Sequence, residues 1–276
     1  MNLVKAELFK IRSTSTWWIL GLITLGLWVL TLLINWAGSS INADVDPADQ
    51  GLDPEQAEQV RVANQAVNVA SNLYTSGQFF GVLLAMLLAA ILVTNEFHHQ
   101  TATTTFLVTP HRERVVLAKL AAAVVMGLVF WLLTTVLNLL AVPFVLGWLD
   151  VPVQLGEPAV WRSIGLNALA YALWSVVGVG AGVLIRSQIG ATLTLAIGYL
   201  IGSIGGSIAF ALLSQYVAKV FEKLEVLVPT TASQLMVSGT ELPGNPPRWV
   251  GAAVLIGYAL VTGVIGTLLT RRRDIS

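Results

Sequence analysis

Leu120–Leu146 reads LAAAVVMGLVFWLLTTVLNLLAVPFVL, 27 residues without a Lys, Arg, Asp or Glu. A hydrocarbon layer about 30 Å thick is crossed by roughly 20 helical residues rising about 1.5 Å each, so this stretch is long enough to span a bilayer. Its side chains are apolar on every face. A barrel strand would instead run for about ten residues and alternate apolar with polar positions. Five more stretches satisfy the same test: Trp17–Trp36, Gly77–Thr94, Ser163–Ile185, Ile189–Leu213 and Trp249–Thr270. The sequence therefore predicts an all-α integral membrane protein with six transmembrane helices, forming a single transmembrane domain over 1–276.

The composition agrees. Of 276 residues, 55% are apolar and 11% charged, with a mean hydropathy of +0.76. A soluble domain carries about 25% charged residues. Fifteen Lys and Arg balance fifteen Asp and Glu, leaving no surplus to attract a phosphate backbone. A soluble enzyme, a disordered tail and a nucleic-acid binder are excluded. Cysteine is absent, which removes disulfides, thiolate nucleophiles and Cys-ligated metals.

Charge asymmetry predicts the orientation. Lys5, Lys10, Arg12, Arg112, Arg114, Lys119, Arg186 and Arg271–Arg273 fall on one side, ten of the fifteen bases, with only Glu7, Glu96, Glu113 and Asp274. Basic loops stay in the cytoplasm, so both termini are expected inside. The basic run before Trp17 precedes an apolar segment too long for a signal-peptide core and is read as the lead-in to a retained signal anchor. Within it, Leu3, Val4, Leu8 and Ile11 share a stripe opposite Lys5, Lys10 and Arg12. Residues 1–14 are thus expected to form an amphipathic helix on the inner membrane surface.

Two outer loops are expected, 37–76 and 214–248. In the first, Asp53-Pro54-Glu55-Gln56 carries an N-cap, a Pro at the first helical position and a Gln at the third, so a helix should begin there and run through Val60, Ala63, Val67 and Ala70. The acidic residues Asp44, Asp46 and Asp49 lack the Gly and distal Glu of a calcium loop and read as solvated surface. The second begins with an amphipathic stretch (Val217, Val220, Phe221, Leu224), expected as a short helix on the outer face, and ends in the turn Pro243-Gly244-Asn245-Pro246-Pro247.

No catalytic constellation emerges. There is no phosphate loop, no G-x-S-x-G elbow and no H-E-x-x-H. His98, His99 and His111 are the only histidines, and no third strong ligand stands near the adjacent pair. The spans hold no ionisable group of the kind that proton-coupled transporters place at membrane depth. Asn35, Asn138 and Asn167 are the intramembrane amides, read as interhelical hydrogen-bond partners, and Trp28, Trp131 and Trp174 as packing side chains. Gly198, Gly202 and Gly206 recur at four-residue spacing, a pattern that admits a close helix partner, here expected from a second subunit; Gly178 and Gly182 repeat it.

The segment between the second and third spans reads Asn95-Glu96-Phe97-His98-His99-Gln100-Thr101-Ala102-Thr103-Thr104-Thr105-Phe106-Leu107-Val108-Thr109-Pro110-His111-Arg112-Glu113-Arg114 and runs on to Lys119. Glu–aromatic–basic, then Thr, a short apolar turn, Pro, a basic pair and a downstream Lys resembles the cytoplasmic loop of ABC exporter permeases of the type-2 class. His98-His99 stand where that family has Arg, and Gln100 where it has Gly.

The resemblance implies a multi-pass permease of the bacterial plasma membrane with no ATPase activity of its own. ATP and magnesium would be held by two copies of a separate ABC ATPase subunit, and a second or sister permease would complete the transporter. Loop 95–118 would be the coupling loop, with Glu96, Phe97, Thr101, Thr104, Thr105, Pro110, Arg112 and Arg114 meeting the ATPase. Membrane lipid is the other expected partner, and nucleic acid is not one. The alternatives are a polytopic scaffold or assembly protein and a secondary transporter.

Overall fold

The computed structural model describes residues 3–43, 51–98 and 112–272. Eleven α-helices follow in chain order among them: α1 (Leu3–Ser13), α2 (Thr16–Ala43), α3 (Pro54–Ala63), α4 (Ala66–Tyr74), α5 (Gln78–His98), α6 (Arg112–Trp148), α7 (Pro158–Ile185), α8 (Gln188–Tyr216), α9 (Val220–Leu224), α10 (Pro229–Val237) and α11 (Arg248–Arg272). A single 3-10 turn, Glu225–Leu227, links α9 to α10. Six segments are long and apolar enough to cross a membrane: Thr16–Ile41, Ala66–His98, Arg114–Trp148, Pro158–Ile185, Gln188–Tyr216 and Arg248–Leu268. The chain is an all-α, six-span integral membrane protein.

The axis of the bundle is α5, which packs against α7, α6, α8 and α2. Its buried face runs from Gly81 to Glu96 and joins Phe130, Tyr171 and Trp174 in the largest apolar cluster. In contrast, α2 lies at the periphery, with only Thr24 and Leu32 buried among its residues of described burial. Helix α8 is also peripheral and buries Ala191, Tyr199 and Ser203 alone.

The Asp53 cap forms as the sequence predicts. Asp53 Oδ1 accepts from Gln56 N at 2.8 Å, and Gln56 Oε1 accepts from Asp53 N at 3.4 Å. The helix it starts does not continue to Ala70, however. It ends at Ala63, and α4 restarts from Gln65 in extended backbone (φ −60°, ψ 140°). The break is stabilised by Asn68, whose Nδ2 donates to Val62 O at 2.7 Å and so occupies the carbonyl of the preceding helix.

A second turn separates α4 from α5 at Gly77, whose φ of +90° suits a residue without a Cβ. A Cβ there would also press against Trp28 Cδ1 at 3.0 Å. Asn138 stabilises this turn from α6: its Nδ2 donates to Tyr74 O and Ser76 O, both at 2.9 Å, while its Oδ1 accepts from Trp28 Nε1 at 2.7 Å. Asn35 Nδ2 donates to Ser76 Oγ at 2.8 Å. Two of the three intramembrane amides thus bridge elements, whereas the buried Oδ1 of Asn167 finds no partner among the described residues.

The segment after α8 departs from expectation. Short α9 is exposed, as an amphipathic surface piece should be, but α10 turns back into the bundle. Ala232, Met236 and Val237 are buried in the main cluster, and Ser233 accepts from Gln78 Nε2 at 3.1 Å and from Trp174 Nε1 at 3.4 Å. The expectation of a surface helix followed only by a turn missed this element. Its Thr, Ser and Gln content lowers the apolar signal, and their hydrogen bonds to other helices make burial tolerable.

Candidate functional site: a buried charge node at the α1 end

Four charged side chains come together where α1, α5 and α6 meet. The apolar stripe of α1 docks Ile11 against Ala89, Leu92 and Val93 of α5 and Ala122 and Ala123 of α6. That docking brings Glu7, one turn before Ile11 on the same face, into the interior as well. Glu7, Glu96 and Lys119 are all buried.

They form one network with Lys10. Lys119 Nζ lies 2.8 Å from Glu7 Oε2 and 2.8 Å from Glu96 Oε1. Lys10 Nζ lies 2.9 Å from Glu7 Oε1 and 2.7 Å from Glu96 Oε1. Two acids and two bases leave no net charge, which is what makes burial sustainable. Burial pulls the Lys10 pKa down, but its hydrogen bonds to Glu96 and Glu7 and their charges outweigh that effect. The ammonium is held above the ordinary lysine value.

The next residue, Phe97, continues the connection. The Arg186 guanidinium sits 5.4 Å above the centre of its ring, a cation–π arrangement. Arg186 closes α7 in the left-handed region (φ 57°), with its N–H donating to Gly182 O at 3.1 Å. The turn between α7 and α8 therefore leans on the root of the loop that follows α5. A cavity of about 250 Å³, lined by Ile11, Thr14, Leu88, Leu92, Asn95 and Glu96 among others, opens between the α1–α2 corner and α5.

Of the residues singled out in the sequence, Glu96 and Phe97 lie at the tip of α5 and make the contacts just described. Arg114 is exposed near the start of α6. Arg112 opens α6 as a helical position, and Thr101, Thr104, Thr105 and Pro110 lie outside the described residues. Glu7 and Lys10 were not singled out as partners of Glu96, and Lys119 only marked the end of the loop motif. The available signal was an acid inside an otherwise basic amphipathic helix, three residues before Lys10.

The glycines of α8 divide. A Cβ on Gly198 or Gly202 would meet nothing within 4 Å, whereas one on Gly206 would strike Val228 Cγ2 at 2.8 Å. Gly206 thus packs inside the chain, and Gly198 and Gly202 face outward beside the exposed Ile197 and Ile201.

Six apolar helices around a ground of few charges, with a basic N-terminal helix locked to the base of the second and third spans, define a polytopic membrane component. Residues 3–203 match the family described as ABC-2 family transporter protein, and the chain belongs to that family. It is a permease subunit of an ABC transporter, the membrane component that partners with an ABC ATPase. A search of curated proteins found no match.

Proposed function

We propose that this permease exports its substrate by alternating access, driven by ATP hydrolysis in a separate ATPase subunit that bears on the segment between α5 and α6. The observation that carries the reading is the charge node. A displacement applied to residues 97–111 reaches Glu96 first, and from there passes to α1 through Lys10 and to α6 through Lys119. The Phe97–Arg186 contact extends it to the α7–α8 turn. One push thereby reaches most of the bundle.

The sequence holds no phosphate loop, so two ATPase copies carrying ATP and magnesium would supply the work. The excess of basic residues at the α1 end supports a reading with that end and both termini on the cytoplasmic side of a bacterial plasma membrane. The outward-facing Gly198 and Gly202 on α8 suit a second permease copy or a sister permease. Coupling through Thr101, Thr104, Thr105, Pro110, Arg112 and Arg114 belongs to the same reading.

The test is co-expression with the partner ATPase in proteoliposomes. Glu96→Ala and Arg112→Glu should abolish ATP-dependent export while each chain still inserts. Full export by both variants would sink the proposal. Because the sequence has no cysteine, Ser40→Cys and Thr104→Cys report sidedness cleanly: an impermeant thiol reagent added to intact cells should label the first and spare the second.

A further inference from the structure

The end of the bundle opposite α1 carries a cleft that the coupling mechanism does not use. Two adjoining cavities, of about 430 Å³ and 290 Å³, share Asn35, Asn72, Thr75 and Val237 as walls. They lie between α2, α4 and the stretch from α10 to Leu242. The larger of the two falls within the usual size of small-molecule sites, about 300–1,000 Å³.

The lining is unusual for a membrane protein at this depth. Six carboxamides face it (Asn35, Asn64, Asn68, Asn72, Gln78 and Gln234), with hydroxyls and a few aliphatic side chains between them. Among the described residues, no Lys, Arg, His, Asp or Glu lines either cavity. A charged ligand group would lose its hydration there and gain no countercharge. An uncharged group with many hydrogen-bonding atoms would be accommodated, because a carboxamide not engaged within the fold offers both donors and an acceptor.

Some of these amides hold the wall together and others are available. Asn68 is saturated: Nδ2 donates to Val62 O and Thr240 Oγ1, and Oδ1 accepts from Thr240 N and Oγ1. Asn72 and Gln234, in contrast, are exposed and have no side-chain hydrogen-bond partner among the described residues. They stand on opposite walls, α4 and α10, and both line the deeper cavity.

Position sets the rest of the ligand. Along α2 the lining runs from Ser39 to Thr31, about 12 Å at the helical rise. The cleft therefore descends well into the span. Its α2 wall is the least buried helix of the six spans, and Ile34, which lines the cleft, is 57% exposed. A molecule seated among the amides has an apolar flank beside it at membrane depth.

We propose that this cleft binds an amphiphile by an uncharged, hydroxyl-rich headgroup, as in a neutral glycolipid, with its tail lying along α2. Hydroxyls match the carboxamides because each both donates and accepts. Binding requires neither ATP nor a partner subunit, so the proposal goes beyond the coupling mechanism and fails or stands separately from it.

The test uses the intact chain alone in phosphatidylcholine nanodiscs. Diazirine-bearing glucosyl diacylglycerol, phosphatidylglycerol and phosphatidylcholine are compared as photocrosslinkers, with adducts mapped by peptide. The glucosyl lipid should label the α4 and α10 peptides about tenfold more than the other two, and unlabelled glucosyl lipid should compete. The double variant Asn72→Leu/Gln234→Leu should lose about that tenfold preference, equivalent to about 1.4 kcal/mol or one to two hydrogen bonds. Its thermal stability should match the parent, since neither side chain bonds the fold. Equal labelling by all three lipids overturns the proposal, as does labelling without competition or a preference untouched in a folded double variant. Competition by a neutral lipopeptide but not by the glucosyl lipid overturns the sugar assignment.

Discussion

Lys119 and Glu7, 112 residues apart, meet at 2.8 Å with side-chain exposures of only 6% and 4%. One belongs to the N-terminal helix and the other to the start of the third span. The pair closes the node from the side away from solvent, while Lys10 closes it from the side open to water. Because an isolated buried charge is far costlier than a buried pair, the contact couples the position of α1 to that of α6.

Removing one member of the pair should therefore cost more than removing both. Glu7→Ala or Lys119→Ala is expected to destabilise the chain by about 3–5 kcal/mol. Glu7→Leu combined with Lys119→Met leaves Lys10 and Glu96 to neutralise each other and should cost much less. Thermal denaturation in detergent, arranged as a double-mutant cycle, measures the coupling. Additive losses would mean that the two charges act separately.

Lys10 sets a pH dependence of known sign. Its folded-state pKa lies above the ordinary lysine value, because Glu96 and Glu7 more than offset the effect of burial. Its contribution is thus complete below the unfolded lysine pKa, about 10.4, and is lost only as pH rises through the folded value. A fluorophore on Ser13→Cys should report unchanged docking from about pH 7 to pH 10, with release above. Release near neutrality in this variant, absent from one that also carries Lys10→Met, would contradict the assignment.

The glycines of α7 and α8 should behave oppositely. A Cβ on Gly182 would lie 2.9 Å from Ala90 O and 3.2 Å from its Cα, both on the backbone of α5. Gly182→Val should force these helices apart and cost about 1–3 kcal/mol. Gly198→Val meets open space and should leave chain stability nearly unchanged. Melting temperatures of the two purified variants decide the matter; similar losses would refute the distinction.

Asn138 is expected to be the most sensitive of the intramembrane amides. Asn138→Leu strips Tyr74 O and Ser76 O of their shared donor and leaves the Trp28 indole N–H without its acceptor. The loss should be about 1–3 kcal/mol. Hydrogen exchange should then accelerate locally, over the α4–α5 turn, before any other span loosens. A uniform increase across the bundle would argue against a local role.

The number of spans and their helical nature were legible in the sequence because lipid demands long, uninterrupted apolar runs, and such runs need no tertiary information. The Asp53 cap was legible for a similar reason: its partners lie within three residues. What escaped depended on distant partners. The stop at Ala63 needs Asn68 to reach back to Val62 O, and Asn68 in turn is positioned by Thr240. Burial of α10 depends on Gln78 and Trp174 supplying hydrogen bonds to Ser233. At the node, Glu96 stood out by its neighbours in sequence, whereas Glu7 and Lys119 acquire meaning only when α1 docks. The glycine spacing on α8 predicted close packing but not which positions face inward; Val228, 22 residues after Gly206, decides that.

The sparse burial of α2 gives the first crossing a distinctive mechanical character. It is joined through its short lead-in to a fixed foot on α1, and it meets the α4–α5 turn through Asn35 and α6 through Trp28 and Trp36, but most of its remaining surface is exposed. A thicker or thinner bilayer must change its tilt more readily than that of α5, which neighbours confine on most sides. Membrane chain length would thus act as a tuning parameter, widening or narrowing the gap between α2 and α4 without any change in the chain.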